Sequence, residues 1–125
     1  MPDDLYDRDF VIWSEQQADL LRRLAAAGLF EQAIIHLLKL RAFPHSFAQR
    51  KWRGEVSVYL GQAQDRFTPS MRQRLDIPHQ YARALSALQA ENARRASVLP
   101  GVCLFTLDDL LADPPDSPAL LAKLE

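Results

Sequence analysis

The chain has 125 residues, 48% of them hydrophobic and 25% charged, and carries a formal net charge of −1. This length fits one domain with a single core, and the presence of only four glycines favours helices. No apolar run approaches the roughly eighteen residues of a membrane span, so we expect no membrane partner, and the near-zero net charge falls short of the strongly basic composition of most nucleic-acid-binding domains.

Two helices are predicted in the first third of the chain. The first covers residues 7–27, and Gly28 is predicted to end it, as a residue at positive φ usually does. A second helix at 30–43 follows after almost no linker, so we expect an antiparallel hairpin or a sharp corner between the two. The first helix is predicted from residues that recur at spacings of three and four, namely Tyr6, Phe10, Trp13, Gln17, Leu20, Leu21 and Leu24.

The most apolar segment of the chain is AIIHLLKLRAF at residues 33–43. On a helical wheel of residues 30–43 the apolar side chains cover well over half of the circumference and leave one narrow polar strip of Gln32, His36 and Lys39. A surface helix usually shows an apolar stripe of roughly 100° or somewhat more, so this breadth indicates neighbours on at least two sides. The sequence therefore predicts an all-α fold, a small bundle of about five main helices packed around a central hydrophobic helix at about 30–43.

Caps and prolines predict the helices that follow residue 44. Ser46 and Gln49 have the spacing of a capping box, in which the serine hydroxyl accepts from the glutamine N–H and the glutamine side chain reaches back. Threonine or aspartate caps, two of them followed by proline, begin the later helices. The predicted helices cover residues 47–67, 70–75, 78–97 and 107–112. We expect a single domain over 1–115 and a tail or short helix at 116–125.

Sequence motifs that would identify a catalytic site are absent, including GxGxxG, the phosphate-binding P-loop, HExxH and GxSxG. His36 is the most suggestive titratable residue, because it borders the central apolar arc and has the chemistry of a general base. We favour the alternative, a histidine hydrogen-bonded at the edge of the core for structural reasons. A hydrolase or nuclease-like enzyme would use His36 and Glu91 with Arg53 as an anion clamp, and it requires all three to converge on one cavity.

A second group of polar residues lies beside the predicted core and consists of Lys39, Trp52, Asn92 and Arg95. These residues fit two interpretations, part of a semi-buried pocket or a structural network that fixes helix register. Asn92 continues the apolar stripe of its helix, so we expect its amide to find a hydrogen-bond partner inside the protein.

A strip of small residues, Gly54, Ser57 and Gly61, occupies the face of the third predicted helix opposite its apolar side. Each glycine inside a helix costs about 1 kcal/mol relative to alanine, so the strip is a candidate for close approach of another backbone or a ligand. A solvated face that tolerates glycine is an equal alternative. We name these three residues the small-residue strip and predict it as an interface.

Charge is distributed unevenly along the chain. Residues 1–38 sum to −4, residues 39–74 to +6 and residues 75–125 to −3. The basic region 39–74 is a candidate for binding nucleic acid or another anion, but we favour its facing the acidic first and last segments, within the fold or across a dimer.

Cys103 is the single cysteine, so no internal disulfide forms, and no set of cysteines and histidines has zinc-site spacing. We therefore predict no metal site and no cofactor. The amino terminus is acidic where a secretory signal would be basic, so the cytoplasm is the expected location.

Five segments carry a family resemblance. They are YDRDFVIWSEQQADLLR at 6–22, HLLKL at 36–40, KWRGEV at 51–56, AENA at 90–93 and LPGVCLFTLDDLL at 99–111. Through them the chain resembles the bacterial family called domain of unknown function 29, which implies a helical bundle and brings no assigned activity. Departures from the family pattern fall at Leu40, Asn92 and Leu104. We predict a small helical protein-interaction or regulatory module, which associates with itself or with another protein.

Overall fold

The computed structural model describes residues 2–125, with side chains from Arg8 onward. Within these residues it contains α-helices and one short 3-10 turn, and no strand. The elements are α1 (Pro2–Ala42), α2 (Gln49–Arg66), the 3-10 turn (Pro69–Met71), α3 (Ile77–Ala96), α4 (Leu107–Leu111) and α5 (Ser117–Ala122). The predicted all-α fold class is confirmed. None of the described helices, α1 included, combines the length and hydropathy needed to cross a bilayer.

The second half of α1 is the centre of the bundle. Ile34, Leu37 and Leu38 have no exposed surface, and α2 and α3 both pack against this helix. Burying a large aliphatic side chain contributes about 1.5–3 kcal/mol, so these residues supply a large part of the core. The central hydrophobic helix is confirmed. The other elements bring to the core Val56, Leu60 and Ala63 from α2, Tyr81, Ala84 and Leu88 from α3, and Leu110, Leu120 and Leu124 from the last part of the chain.

Gly28 lies inside α1 and does not end it, so the predicted hairpin or sharp corner between two helices is wrong. No glycine within residues 2–125 has a positive φ. Ala26 and Phe30, two residues to either side of Gly28, are both fully buried, and a continuous helix keeps both in the core. A helical glycine costs only about 1 kcal/mol relative to alanine, which this packing outweighs.

The first half of α1 has different surroundings from the second. No side chain between Arg8 and Ala25 is fully buried, and we call residues 8–25 the exposed arm. At 1.5 Å per residue the arm is about 27 Å long. Its series of apolar residues is helical as predicted but largely uncovered; the side chain of Tyr6 lies outside the described residues. The most exposed members are Phe10 at 57%, Trp13 at 56%, Leu21 at 66% and Leu24 at 56%.

Gln49 holds the turn between α1 and α2, in a different way from the predicted capping box. Its side-chain amide donates to the carbonyl oxygens of Leu40 at 3.1 Å and Phe43 at 2.6 Å. The last carbonyls of a helix lack intrahelical donors, and Gln49 supplies them. The hydroxyl of Ser46 accepts instead from the N–H of Ala48. α2 then begins at Gln49 without a side-chain cap.

Two later helices begin at caps that the sequence predicts. Asp76 accepts from the N–H of His79 at the start of α3, and Thr106 and Asp109 form a reciprocal capping box at the start of α4.

Near its end, α3 is interrupted at Asn92, where φ is −157° and ψ is 88°. The Asn92 side chain is exposed, so the expectation of an interior position is wrong. Its Oδ1 accepts from the N–H of Arg95 at 3.2 Å. Asparagine side chains compete for backbone donors in this way, which accounts for the local break in the helix.

The carboxyl-terminal segment folds back onto the bundle. Leu120 and Leu124 are buried, and Nε of Arg41 donates to the carbonyl oxygen of Leu124 at 3.4 Å. Lys123 donates to Oδ2 of Asp109 at 2.5 Å. The Lys123 ammonium, and after it the Thr106 N–H, lower the pKa of Asp109 below its ordinary value. The chain end is therefore fixed to α1 and α4.

Candidate functional site

His36 lies on α1 at the edge of the core and is 9% exposed. Its Nε2 is 2.5 Å from Oε2 of Glu55 on α2, and its Nδ1 is 2.7 Å from the carbonyl oxygen of Gln32, one helical turn earlier. The ring of Tyr59 lies against the imidazole, with 5.3 Å between the ring centroids. Both ring nitrogens of His36 therefore contact other protein atoms.

This arrangement limits what His36 does chemically. The Gln32 carbonyl only accepts, so Nδ1 carries a proton, and Nε2 either donates to the Glu55 carboxylate or accepts from its protonated form. A general base needs a ring nitrogen within reach of a substrate. With both nitrogens engaged, the geometry favours the structural interpretation, in which His36 and Glu55 fix α1 against α2.

The contacts of His36 do not include the other two residues of the enzyme hypothesis. The carboxylate beside His36 is that of Glu55, while Glu91 is exposed on α3. Arg53 lines a shallow pocket of about 490 Å³ with Leu40 and Arg41, and neither His36 nor Glu91 contributes to it.

Sequence reasoning missed Glu55 as the partner of His36. The signal available was its spacing of three and four residues from Trp52 and Tyr59, which places Glu55 at the edge of the core face of α2.

Three of the four residues in the predicted polar network are connected through Phe43. Nζ of Lys39 is 6.0 Å from the Trp52 ring centroid, the Trp52 and Phe43 centroids are 6.1 Å apart, and the Arg95 guanidinium is 5.8 Å from the Phe43 centroid. The two cation–ring distances are near the outer limit for such contacts, so their contribution is small. Sequence reasoning missed Phe43, and Asn92 joins the group only through the N–H of Arg95.

The small-residue strip is open surface on α2. Gly54 and Ser57 are exposed and Gly61 is half-buried. A Cβ atom built on either glycine meets no other atom within 4 Å. Val58, next to the strip, is 55% exposed. No described part of the chain packs closely on the strip, which stays a predicted interface.

Some cations of the basic region have carboxylate partners and others do not. Arg72 pairs with Asp108 at 2.8 Å, and Lys51 lies 3.9 Å from Glu55. A second group comes from the carboxyl ends of α1 and α3 and the amino end of α2. Among the described side chains, no carboxylate oxygen lies within 4.0 Å of a charged nitrogen of this group. This group consists of Lys39, Arg41, Arg50, Arg53, Arg94 and Arg95.

Cys103 and Tyr81 hold the loop that joins α3 to α4. Burial raises the pKa of the Cys103 thiol, which donates to the carbonyl oxygen of Phe105. Burial, and after it the nearby Cys103, raise the pKa of Tyr81 to about 12, and the Tyr81 hydroxyl donates to the carbonyl oxygen of Pro100 at 2.5 Å. Both groups are therefore protonated at neutral pH. An activated cysteine would have the opposite shift in pKa.

Comparison with known proteins gives a family and a similar fold. The family model described as "Domain of unknown function DUF29" matches residues 24–114. A crystal structure of an alpha-helical protein of unknown function from Rhodospirillum rubrum ATCC 11170 is similar, with a TM-score of 0.83 and 22% sequence identity over 94% of this chain and 77% of that chain. At this identity the likeness shows the fold alone. Comparison with curated proteins gives no match.

Proposed function

The chain belongs to the family described as domain of unknown function DUF29, and from this premise we propose that it is a non-catalytic helical interaction module that associates with a second copy of itself. Because the family brings no activity, the proposal rests on the surface of the molecule. The observation that supports it is the exposed arm, where Phe10, Trp13, Leu21 and Leu24 each leave more than half of their surface uncovered. Exposed apolar surface of this extent is typical of interaction sites.

The arm has the spacing of a coiled-coil seam. Phe10, Trp13, Gln17, Leu20 and Leu24 follow one another at alternating intervals of three and four residues. This is the spacing of the a and d positions of a heptad, which meet a partner helix along one face. The rings of Phe10 and Trp13 lie 6.1 Å apart and together form the most aromatic part of the seam.

Charge favours a second copy in antiparallel orientation as the partner. With Phe10 at an a position, Asp9 and Arg23 both occupy g positions beside the seam. In an antiparallel pair of identical helices, g positions face g positions, so Asp9 of each copy meets Arg23 of the other, and the two-fold axis repeats the pair. In a parallel pair each g position faces the e position five residues later on the partner. Asp9 would then face Ser14, and Arg23 would face Gly28, and neither Ser14 nor Gly28 carries a charge.

The alternatives have less support from the geometry. The enzyme hypothesis needs a free nitrogen on His36, whose two nitrogens contact Gln32 and Glu55. Nucleic-acid binding through region 39–74 is supported by its cations without carboxylate partners, but these include only part of the region. The proposal also keeps 1–115 as a single domain and the cytoplasm as its location, both on the basis of the sequence.

Sedimentation equilibrium of the full chain tests the proposal. We expect a dimer for the wild type and a monomer for Trp13→Glu, because pairing the arms would bury an unpaired carboxylate at a cost of several kcal/mol. Val102→Glu is the matched control, since Val102 is 70% exposed on the loop between α3 and α4. This variant should remain a dimer.

A wild-type chain that stays monomeric at every concentration would contradict the proposal. A dimer that survives Trp13→Glu but dissociates on Gly61→Glu would place the interface on the small-residue strip and exclude the arm.

A further inference from the structure

A cavity of about 560 Å³ opens where the carboxyl ends of α1 and α3 meet. Arg41, Arg94, Arg95 and Asn92 line it, and no aspartate or glutamate of the described residues does so. Its volume lies within the range of about 300–1,000 Å³ for small-molecule sites. We propose that this arginine cavity binds the phosphate group of a small phosphorylated molecule.

Two of the three guanidinium groups make contacts that leave their charge unneutralised. Arg95 lies over the ring of Phe43 at 5.8 Å. Arg41 donates from Nε to the carbonyl oxygen of Leu124, which leaves its two terminal nitrogens for another acceptor. Among the described side chains, none of the three arginines has a carboxylate within 4.0 Å. The cavity therefore contains an uncompensated positive charge.

Arginines near helix carboxyl ends often serve only to satisfy the last carbonyls or to offset the helix dipole. Here other donors satisfy several of these carbonyls. Gln49 donates to Leu40 and Phe43 at the end of α1. At the end of α3, the N–H and the hydroxyl of Ser97 both donate to the carbonyl oxygen of Arg94. The guanidinium groups are thus not needed as caps at these carbonyls.

Asn92 adds a donor to the same lining. Its Oδ1 is engaged by the N–H of Arg95, so its NH₂ group is the part left to face a ligand. A phosphate group presents only acceptor oxygens when it is fully ionised, and guanidinium groups bind two of them at once. Three guanidinium groups and one amide NH₂ therefore suit a phosphate dianion in the sign of their charge and in donor type.

The geometry favours a single phosphate group over a nucleic-acid backbone. Nucleic acids carry regularly spaced phosphates and meet extended rows of cations. Arg41, Arg94 and Arg95 instead surround one space, while Arg50 on α2 does not line it.

Isothermal titration calorimetry of the full chain at low salt, with pyrophosphate as the probe, tests the proposal. We expect saturable one-site binding, weakened about tenfold or more by Arg94→Ala and by Arg41→Ala, since each removes charge-assisted hydrogen bonds. Arg50→Ala removes the same charge from an exposed position outside the cavity. It should change the affinity by less than about twofold. Circular dichroism confirms that each variant is folded.

Equal binding of pyrophosphate by wild type and by the Arg41→Ala/Arg94→Ala variant, or no binding at all, would overturn the proposal. A single-stranded DNA oligonucleotide that binds with a steep salt dependence, and is weakened as much by Arg50→Ala as by Arg94→Ala, would assign the cations to nucleic acid and also overturn it. The monomeric Trp13→Glu variant should bind pyrophosphate as the wild type does, so the outcome is independent of self-association.

Discussion

Nε2 of His36 and Oε2 of Glu55 lie 2.5 Å apart and join α1 to α2 beside the core. The same imidazole contacts the carbonyl oxygen of Gln32 through Nδ1, so it is fixed at both nitrogens. The side chains of His36 and Glu55 are 11% and 30% exposed, which places the pair at the boundary between core and solvent. Removing one partner would leave the other largely buried and without its hydrogen bond.

We therefore expect Glu55→Ala to lower the free energy of unfolding by about 1–3 kcal/mol. Urea denaturation followed by circular dichroism measures this change. Glu91→Ala is the matched control, since Glu91 is exposed on α3, and it should stay within about 0.5 kcal/mol of the wild type. Equal stabilities for the two variants would show that the link between His36 and Glu55 contributes nothing to the fold.

Gly28→Ala distinguishes the observed continuous helix from the predicted turn by the sign of its effect. Gly28 is exposed, and a Cβ atom there would meet nothing within 4 Å. In a helix, alanine restricts the unfolded chain and has the better propensity, so we expect the free energy of unfolding to rise by about 0.4–1 kcal/mol. A turn with Gly28 at positive φ would give a loss of stability instead. Thermal and urea denaturation report the sign.

The sequence predicts the buried helix and misplaces its beginning for one physical reason. Ile34, Leu37 and Leu38 can be predicted as buried because the breadth of the apolar arc is read from the sequence of their own helix alone. Whether Gly28 ends a helix depends on what surrounds it, since a glycine both terminates helices and is tolerated inside them at modest cost. Burial of Ala26 and Phe30 keeps the helix continuous through Gly28, and this burial depends on the packing of the whole bundle.

The candidate sites depend even more on contacts between helices, which the sequence alone does not give. Local spacing places His36 at the edge of the core, but its partner Glu55 lies on another helix. The arginine cavity likewise combines Arg41 of α1 with Arg94 and Arg95 of α3. Contacts between side chains on different helices depend on the packing of the bundle. The sequence therefore predicts single candidate residues but not which of them come together in a site.

Gln49→Glu tests which cap the glutamine forms. In a capping box glutamate serves as well as glutamine, because either side chain accepts from the serine N–H. In the structure the Gln49 amide donates to the carbonyl oxygens of Leu40 and Phe43, and a carboxylate there would face two acceptors.

We expect Gln49→Glu to lower the free energy of unfolding by about 2 kcal/mol or more, and Gln49→Ala to lower it by less. Urea denaturation at pH 7 compares both variants with the wild type. A Gln49→Glu variant as stable as the wild type would support the capping box.

The ion pair of Asp109 with Lys123 should make stability fall in acid. Because the pKa of Asp109 is lowered in the folded chain, its contribution is fully present above its unfolded pKa of about 3.9 and is lost as pH falls through the folded value. The stability difference between wild type and Asp109→Asn should therefore shrink as the pH falls below the unfolded pKa, as urea denaturation measures.

Lys123→Met removes the main cause of the lowered pKa. The NMR titration of the Asp109 carboxyl should then move to higher pH. An unchanged titration would show that the Thr106 N–H, and not Lys123, sets this pKa.

Charge reversal tests the antiparallel pairing of the exposed arm. Asp9→Arg places two cations together at each end of the proposed dimer, and Arg23→Asp places two carboxylates there, so each variant alone should weaken the dimer about threefold to tenfold. The double variant restores opposite charges and should recover the wild-type dissociation constant in sedimentation experiments at low salt. A parallel dimer would show no such recovery, because Asp9 and Arg23 would not meet across it. If the double variant stays weak while Trp13→Glu still dissociates the dimer, the seam is correct and its orientation is wrong.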